Sequence, residues 1–179
     1  MIIRKCEKMK TTLLVFHPNI QKSRVNKRLA QAAEEAGLEV RYLYQLYPDG
    51  KIDVKKEQAI LEAADRIVLQ FPMYWYSSPA LLKQWEDQVL EYGWAYGSTG
   101  TALQGKEFLI AVSPGASLDS YRKNGRFGFT IDELLAPFHA SSNHIGTRFL
   151  PPFVTAGTLN LSDEELEKQA AAYVDYLLK

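Results

Sequence analysis

Apolar runs of four to seven residues alternate along this chain with amphipathic stretches of twelve or more, and no other feature restricts the fold as strongly. A short apolar run suits a strand buried on both faces, while a longer stretch with helical spacing suits a helix covering one of those faces. Repeated in succession, the pair builds strand and helix units around a parallel sheet. The strand candidates are residues 12–16, 38–43, 66–71, 106–112 and 144–150. Between the first two, Val25, Leu29, Ala32, Ala33 and Ala36 recur at helical spacing, and Gly37 offers a stop. Asp53 can cap a second helix running to about Ala64. Ser78 and Pro79 read as the cap and first residue of a third, with Leu82, Trp85, Val89 and Tyr92 on one stripe and Gly93 at its end. A fourth spans roughly residues 130–140, distorted by Pro137. The fifth starts at Ser162, where Glu165 completes a capping box, and buries Leu166, Ala170, Tyr173 and Leu177.

Five strands with helices on both faces predict an α/β fold, a doubly wound five-stranded parallel sheet of order 2-1-3-4-5. Such sheets bind ligands beyond the carboxyl ends of their strands, where the winding reverses. In this order the reversal lies between the first and third strands, which directs attention to the loops after Phe16 and Phe71. No repeat or linker divides the chain, so residues 11–179 read as one domain and residues 1–10 as an N-terminal extension expected to be poorly ordered.

Composition narrows the partners. The 21 basic side chains balance 21 acidic ones with no long basic run, which argues against nucleic acid. A single cysteine, Cys6, rules out an internal disulfide and suits a reducing cytoplasm. His17, His139 and His144 are too scattered to read as a metal set, and none of the apolar runs reaches the ~20 residues of a spanning helix.

Three loops hold chemistry. Ser23 and Asn26 bring a hydroxyl and an amide to a helix start, where free N–H groups and the dipole attract a phosphate, although Ser23 also reads as a plain cap. His17 could sit against a ligand or be an ordinary loop residue. Tyr74, Trp75 and Tyr76 are consecutive and therefore cannot all point inward, and they fall at the crevice the topology selects. The third loop, 112–121, supplies the small residues Gly115 and Ala116 and the phenol of Tyr121. Residues 100–107 match G-x-x-x-x-G-K, but Glu107 replaces the Ser or Thr that holds magnesium, and the segment precedes a strand instead of opening a helix. A G-x-G-x-x-G dinucleotide fingerprint is also missing.

Taken together, FHPNIQKSRVN, LYQLYPD, FPMYWYSSPALLKQW, YGWAYG and ALQGK resemble the flavodoxin-like NAD(P)H quinone oxidoreductase family, closest to its short bacterial members, over residues 11–178. Those members include the ancillary flavoproteins of glutathione-gated potassium efflux systems and the general stress oxidoreductases. The resemblance implies a flavin at the switch point, its phosphate on His17, Ser23, Val25 and Asn26 and its ring held by Pro72, Met73, Tyr74, Trp75, Tyr76, Ser113, Pro114, Gly115 and Ala116. It implies that Tyr121 lies beside the reacting ring and that Tyr96 reaches over the partner subunit's flavin in a homodimer. FMN is favoured over FAD because the chain has no counterpart of the long C-terminal extension of the larger members. The implied reaction is ping-pong hydride transfer from NADPH or NADH through the flavin to a quinone-like acceptor. The alternatives are an ancillary subunit of a potassium efflux antiporter, placed at the inner face of the membrane, and a one-electron carrier, which the neutral charge disfavours. Two departures stand out. Pro114 removes an N–H from a loop that is usually Thr-Thr-Gly-Gly, and no histidine lies between Tyr121 and His139.

Overall fold

The computed structural model describes residues 9–179, so the expectation of a poorly ordered extension rests mainly on residues 1–8, outside the described residues. Lys10 already joins the fold: its amide donates to the Asp65 carboxylate at 2.8 Å, and its carbonyl accepts from the Asp65 and Arg66 amides.

The elements follow in the order β1 (Thr11–Val15), α1 (Val25–Glu35), β2 (Glu39–Tyr42), α2 (Leu43–Leu46), α3 (Val54–Ala63), β3 (Arg66–Pro72), α4 (Ala80–Val89), β4 (Glu107–Ser113), α5 (Ile131–Leu134), α6 (Ala136–His144), β5 (Arg148–Phe149), β6 (Phe153–Val154) and α7 (Asp163–Leu178). All strand pairings are parallel, in the order β2-β1-β3-β4-β5, and β6 also pairs with β4. The doubly wound sheet predicted from the alternation is therefore the fold. Burial alternates along the central strands as the pleat requires. Leu14, Phe16, Ile67, Leu69 and Phe71 face a core closed by α3, α4 and α6, whereas Leu13, Val15, Val68 and Leu109 face α1 and α7. Asp53 caps α3 by accepting from the Lys56 amide at 3.1 Å, and Ser162 and Glu165 form the expected capping box on α7.

Several boundaries differ from the sequence expectation, each for a local reason. Ser78 does not cap α4: Pro79 is the N-cap residue, in an extended conformation (ψ 150°), and the helix starts at Ala80. It ends at Val89 instead of Gly93, so Tyr92 leaves the stripe and is 71% exposed. The expected helix at 130–140 is two helices, α5 with its own Thr130–Glu133 capping box and α6, whose first turn takes Pro137 where a missing N–H costs nothing. Helix α6 then runs to His144, into the segment expected to be strand, and Gly146 turns the chain with φ +73°. The fifth strand therefore begins only at Arg148, and Pro151 and Pro152 interrupt it before β6 resumes pairing with β4, as prolines do on a sheet edge. The short α2 carries no sequence signal strong enough to predict it.

Candidate functional site

The crevice forms where β1, β3 and β4 end together. Pro72 and Ser113 are register partners on β3 and β4, and the Met73 amide donates to the Ser113 carbonyl at 3.2 Å, so the two following loops leave the sheet side by side. Beneath them a polar stitch crosses three elements. The Asn26 side chain on α1 donates to Ser113 Oγ at 2.7 Å, and Gln70 on β3 donates to the Asn26 carbonyl at 2.8 Å. Gln70 and Asn26 are buried, and Gln70 Oε1 has no hydrogen-bond partner among the described residues. The sequence signal for Gln70 was a glutamine inside an otherwise apolar strand, and it was missed.

The aromatic triplet has an unusual backbone. Tyr74 and Ser77 exchange two backbone hydrogen bonds of 3.1 and 3.0 Å around a two-residue turn, and the central Trp75 and Tyr76 lie in the left-handed region at φ 47° and 62°. Such turns favour Asn-Gly, and for bulky side chains this conformation costs on the order of 1–3 kcal/mol each, a strain typical of ligand-binding segments. Trp75 is 92% exposed and Tyr76 41%, so the rings do not plug the crevice. The amides of both residues lack an acceptor among the described residues.

At the start of α1, the cap residue Arg24 makes no side-chain cap bond, while Ser23 Oγ accepts from the Asn26 amide at 3.2 Å. Ser23 thus does act as a local cap, and its own O–H remains a donor. The Arg24 and Val25 amides have no acceptor among the described residues, leaving the positive end of an 11-residue helix open. Arg24 itself turns away to Asp163 at 2.6 Å. His17 follows β1 but lines a separate small cavity of about 140 Å³ with Tyr42 and Tyr44. Its Nδ1 accepts from the Asn19 amide at 3.0 Å, and burial pushes its pKa down, so the ring is neutral at physiological pH.

The loop after β4 carries Pro114, Gly115 and Ala116 and is braced from a segment the sequence did not flag. The Gly157 amide donates to the Ala116 carbonyl at 2.8 Å, and Leu159 lies against Gly115. Tyr121 follows a 3-10 turn and is only 7% exposed. Burial raises its pKa, the Tyr76 phenol adds to that, and the nearby Ala116 backbone opposes it. The phenol is therefore protonated at neutral pH and available as a donor. Tyr121 packs on Phe127 with centroids 4.9 Å apart, and Phe127 packs on Tyr76 at 5.2 Å. Between Tyr121 and Phe127 the loop folds back tightly at Gly125, where a Cβ would stand 2.5 Å from the Asp119 carbonyl oxygen.

Tyr96 shares a cavity of about 590 Å³ with Ser77 and Ser78, which directly follow the aromatic triplet. It packs on His144 at 4.8 Å and lines the cavity with Lys83, Glu86 and Phe138. In that cavity burial, reinforced by Asp87 and opposed by Lys83, pushes the Glu86 pKa up to about 7.

These donors suit a phosphorylated ring system with polar edges. Open N–H groups at α1 match a phosphate, and the exposed aromatic wall with unpaired amides at 75 and 76 matches a planar heterocycle. A flavin therefore fits the residues present, with Pro114 contributing no N–H to the ring edge.

Known proteins are similar to this chain in sequence and in fold. The chain is 53% identical over 170 residues to a Bacillus subtilis protein named an uncharacterized NAD(P)H oxidoreductase, YrkL, covering 94% of this chain and 98% of that one. It is 46% identical over 168 residues to KefF of Klebsiella aerogenes, named an ancillary protein of a glutathione-regulated potassium-efflux system, covering 93% of each. General stress protein 14 of Treponema denticola, solved in complex with FMN, superposes with a TM-score of 0.89 at 42% identity over 94% of this chain and 97% of that one. An NADPH-quinone reductase from P. pentosaceus superposes at 0.84 with 34% identity over 94% and 98%. A family model described as a flavodoxin-like fold matches residues 9–177, and the chain belongs to that family.

Proposed function

We propose that this chain is a flavin-dependent NAD(P)H:quinone oxidoreductase, with FMN as its flavin and a small quinone-like molecule as acceptor. The observation that carries the reading is the crevice itself, where an open helix start, a strained and exposed aromatic turn and a buried phenol converge at the winding reversal of the sheet. The resemblance to an NADPH-quinone reductase and to an FMN complex supports both the donor and the cofactor. A bound flavin would supply the two-electron hydride chemistry between NAD(P)H and the acceptor.

The protein's contribution is positioning. Ser23, Val25 and Asn26 hold the phosphate at the start of α1, and His17 stands at the edge of that loop as a neutral imidazole. Pro72, Met73, Tyr74, Trp75 and Tyr76 form one wall of the ring site, and Ser113, Pro114, Gly115 and Ala116 form the other. Tyr121 donates its phenolic hydrogen to the acceptor carbonyl. Residues 11–179 act as one domain in the cytoplasm. Two copies pair so that the cavity lined by Tyr96 meets the partner's crevice, which would cover the exposed Tyr92 beside it.

Absorbance spectroscopy tests the reading directly. Purified protein mixed with FMN, freed of excess cofactor and treated with NADPH should retain visible flavin bands that bleach and then return on adding a quinone. Protein that retains no FMN, or FMN that NADPH leaves oxidised, would rule it out.

The similarity to KefF favours a second reading, an ancillary subunit of a potassium efflux antiporter at the inner face of the membrane. Co-purification with such a transporter, together with slow quinone turnover by the isolated chain, would select it.

A further inference from the structure

The loop joining Tyr121 to α5 holds a cation with no countercharge. Every other arginine among the described residues pairs with a carboxylate, including Arg122, 2.5 Å from Asp119. The adjacent Lys123 is likewise paired, with Glu133. Arg126 has no carboxylate partner and no hydrogen bond among the described residues, and its guanidinium lies 5.6 Å from the centroid of the Phe127 ring. An exposed guanidinium resting on an aromatic face keeps its planar fork of donors free, the geometry that suits a phosphate.

Arg126 lines a cavity of about 360 Å³ together with Tyr76, Phe127, Phe129 and Leu134. Apart from that guanidinium and the Tyr76 phenol, its walls are apolar, and Phe129 is 55% exposed. The volume lies near the lower end of the range for small-molecule sites, which suits one ring system and its sugar better than a whole dinucleotide. Two of its residues touch the proposed reaction site. Tyr76 belongs to the strained aromatic turn, and Phe127 packs on Tyr121 at 4.9 Å. A donor with its nicotinamide beside Tyr121 would therefore have this cavity next to it for its other end.

Resting on the oxidoreductase reading, we propose that the cavity receives the adenosine 2′-phosphate end of NADPH, with the purine against Tyr76, Phe127 and Phe129 and the 2′-phosphate on Arg126. Arg126 is then the residue that makes the enzyme prefer NADPH to NADH, since NADH presents a hydroxyl where the guanidinium expects a dianion. The loop 122–126 reads in sequence as a surface run, RKNGR, and only the pairing of its first two cations singles out the third.

The test compares FMN-loaded wild type with Arg126→Ala and Arg126→Lys, using NADPH and NADH as donors and calorimetric titration with NADP⁺ and NAD⁺. Arg126→Ala should lower the ratio of kcat/KM for NADPH over that for NADH by about tenfold or more, through KM, with a matching loss of NADP⁺ affinity and little change for NAD⁺. Arg126→Lys keeps the charge without the fork and should fall between the two. An unchanged ratio in Arg126→Ala, or an equal loss for both donors, overturns the assignment while the oxidoreductase reading stands. Failure of both donors to reduce the wild-type flavin removes that reading, and this inference with it.

Discussion

Two side chains carry most of the chemistry that can be tested one residue at a time. Tyr121 is buried and its phenol is protonated at neutral pH, so it can donate a hydrogen bond to a substrate oxygen. Tyr121→Phe should retain FMN at unchanged stoichiometry and slow quinone turnover by about 10²-fold, the lower end of a general-acid contribution, in steady-state assays. Turnover equal to wild type would remove the phenol from the reaction. Glu86 provides a pH dependence unconnected with the flavin. Its folded pKa of about 7 lies above the ordinary carboxylate value of 4.5, chiefly through burial, so the fold prefers it protonated. Its contribution to stability is complete below about pH 4.5 and is lost as pH rises through about 7. Glu86→Gln should flatten that fall between pH 5 and 8 by on the order of 1 kcal/mol, allowing for its partial exposure, as measured by urea denaturation across pH. At this scale the sequence was most legible where residues are chemically conspicuous. Tyr121 and the aromatic triplet stand out in one dimension. Gln70 and Arg126 matter through what lies around them, and that is visible only in three.

At the scale of elements, local capping was readable because its geometry closes within four residues. The box at Ser162 and Glu165 starts α7 as its spacing requires, with the Ser162 hydroxyl accepting from the Glu165 amide at 3.2 Å. Ser162→Ala should cost about 1 kcal/mol of unfolding free energy by chemical denaturation, with flavin binding unchanged. Helix α3 behaves differently. Its amphipathic pattern hides a fully buried carboxylate, Glu57, which pairs with Arg41 of β2 and accepts from the Tyr47 hydroxyl at 2.6 Å and the Trp85 indole at 3.1 Å. One charge thus ties α3 to β2, to the loop after α2 and to α4. Glu57→Ala strands the Arg41 guanidinium in the core and should lose about 3–5 kcal/mol in urea titrations, with altered Trp85 fluorescence. A loss below ~1 kcal/mol would mean that the network is not a structural hub. The misplaced start of β5 has the same origin. Residues 144–147 have strand-like composition, but α6 extends to His144, where Ser142 is buried and hydrogen-bonded to Thr147 at 2.6 Å and His144 packs on Tyr96 at 4.8 Å.

For the whole molecule, the parallel sheet fixes where chemistry can occur before any side chain is considered. Strands that wind in opposite directions from β1 leave a gap at their carboxyl ends, and the loops there are the only ones that β1, β3 and β4 can jointly position. The Tyr96 cavity borders the aromatic turn at Ser77 and Ser78, and under the proposed pairing a second copy completes the site there. Sedimentation of FMN-loaded protein should give about twice the 20.3 kDa chain mass, and a monomer with full activity would refute the pairing.

The sequence by itself determined the doubly wound parallel sheet, because strand and helix alternation follows from the period and spacing of apolar residues, and the common order for five such strands then picked out the loops that flank the winding reversal. Tertiary structure alone decided that Trp75 and Tyr76 adopt a left-handed turn, that Gln70, Asn26 and Ser113 form one polar stitch, and that among the described residues a single arginine is left without a carboxylate. Periodicity is a property of neighbours along the chain, whereas strain, buried pairing and unbalanced charge depend on residues brought together from distant positions, 87 apart for Asn26 and Ser113 and 139 apart for Arg24 and Asp163.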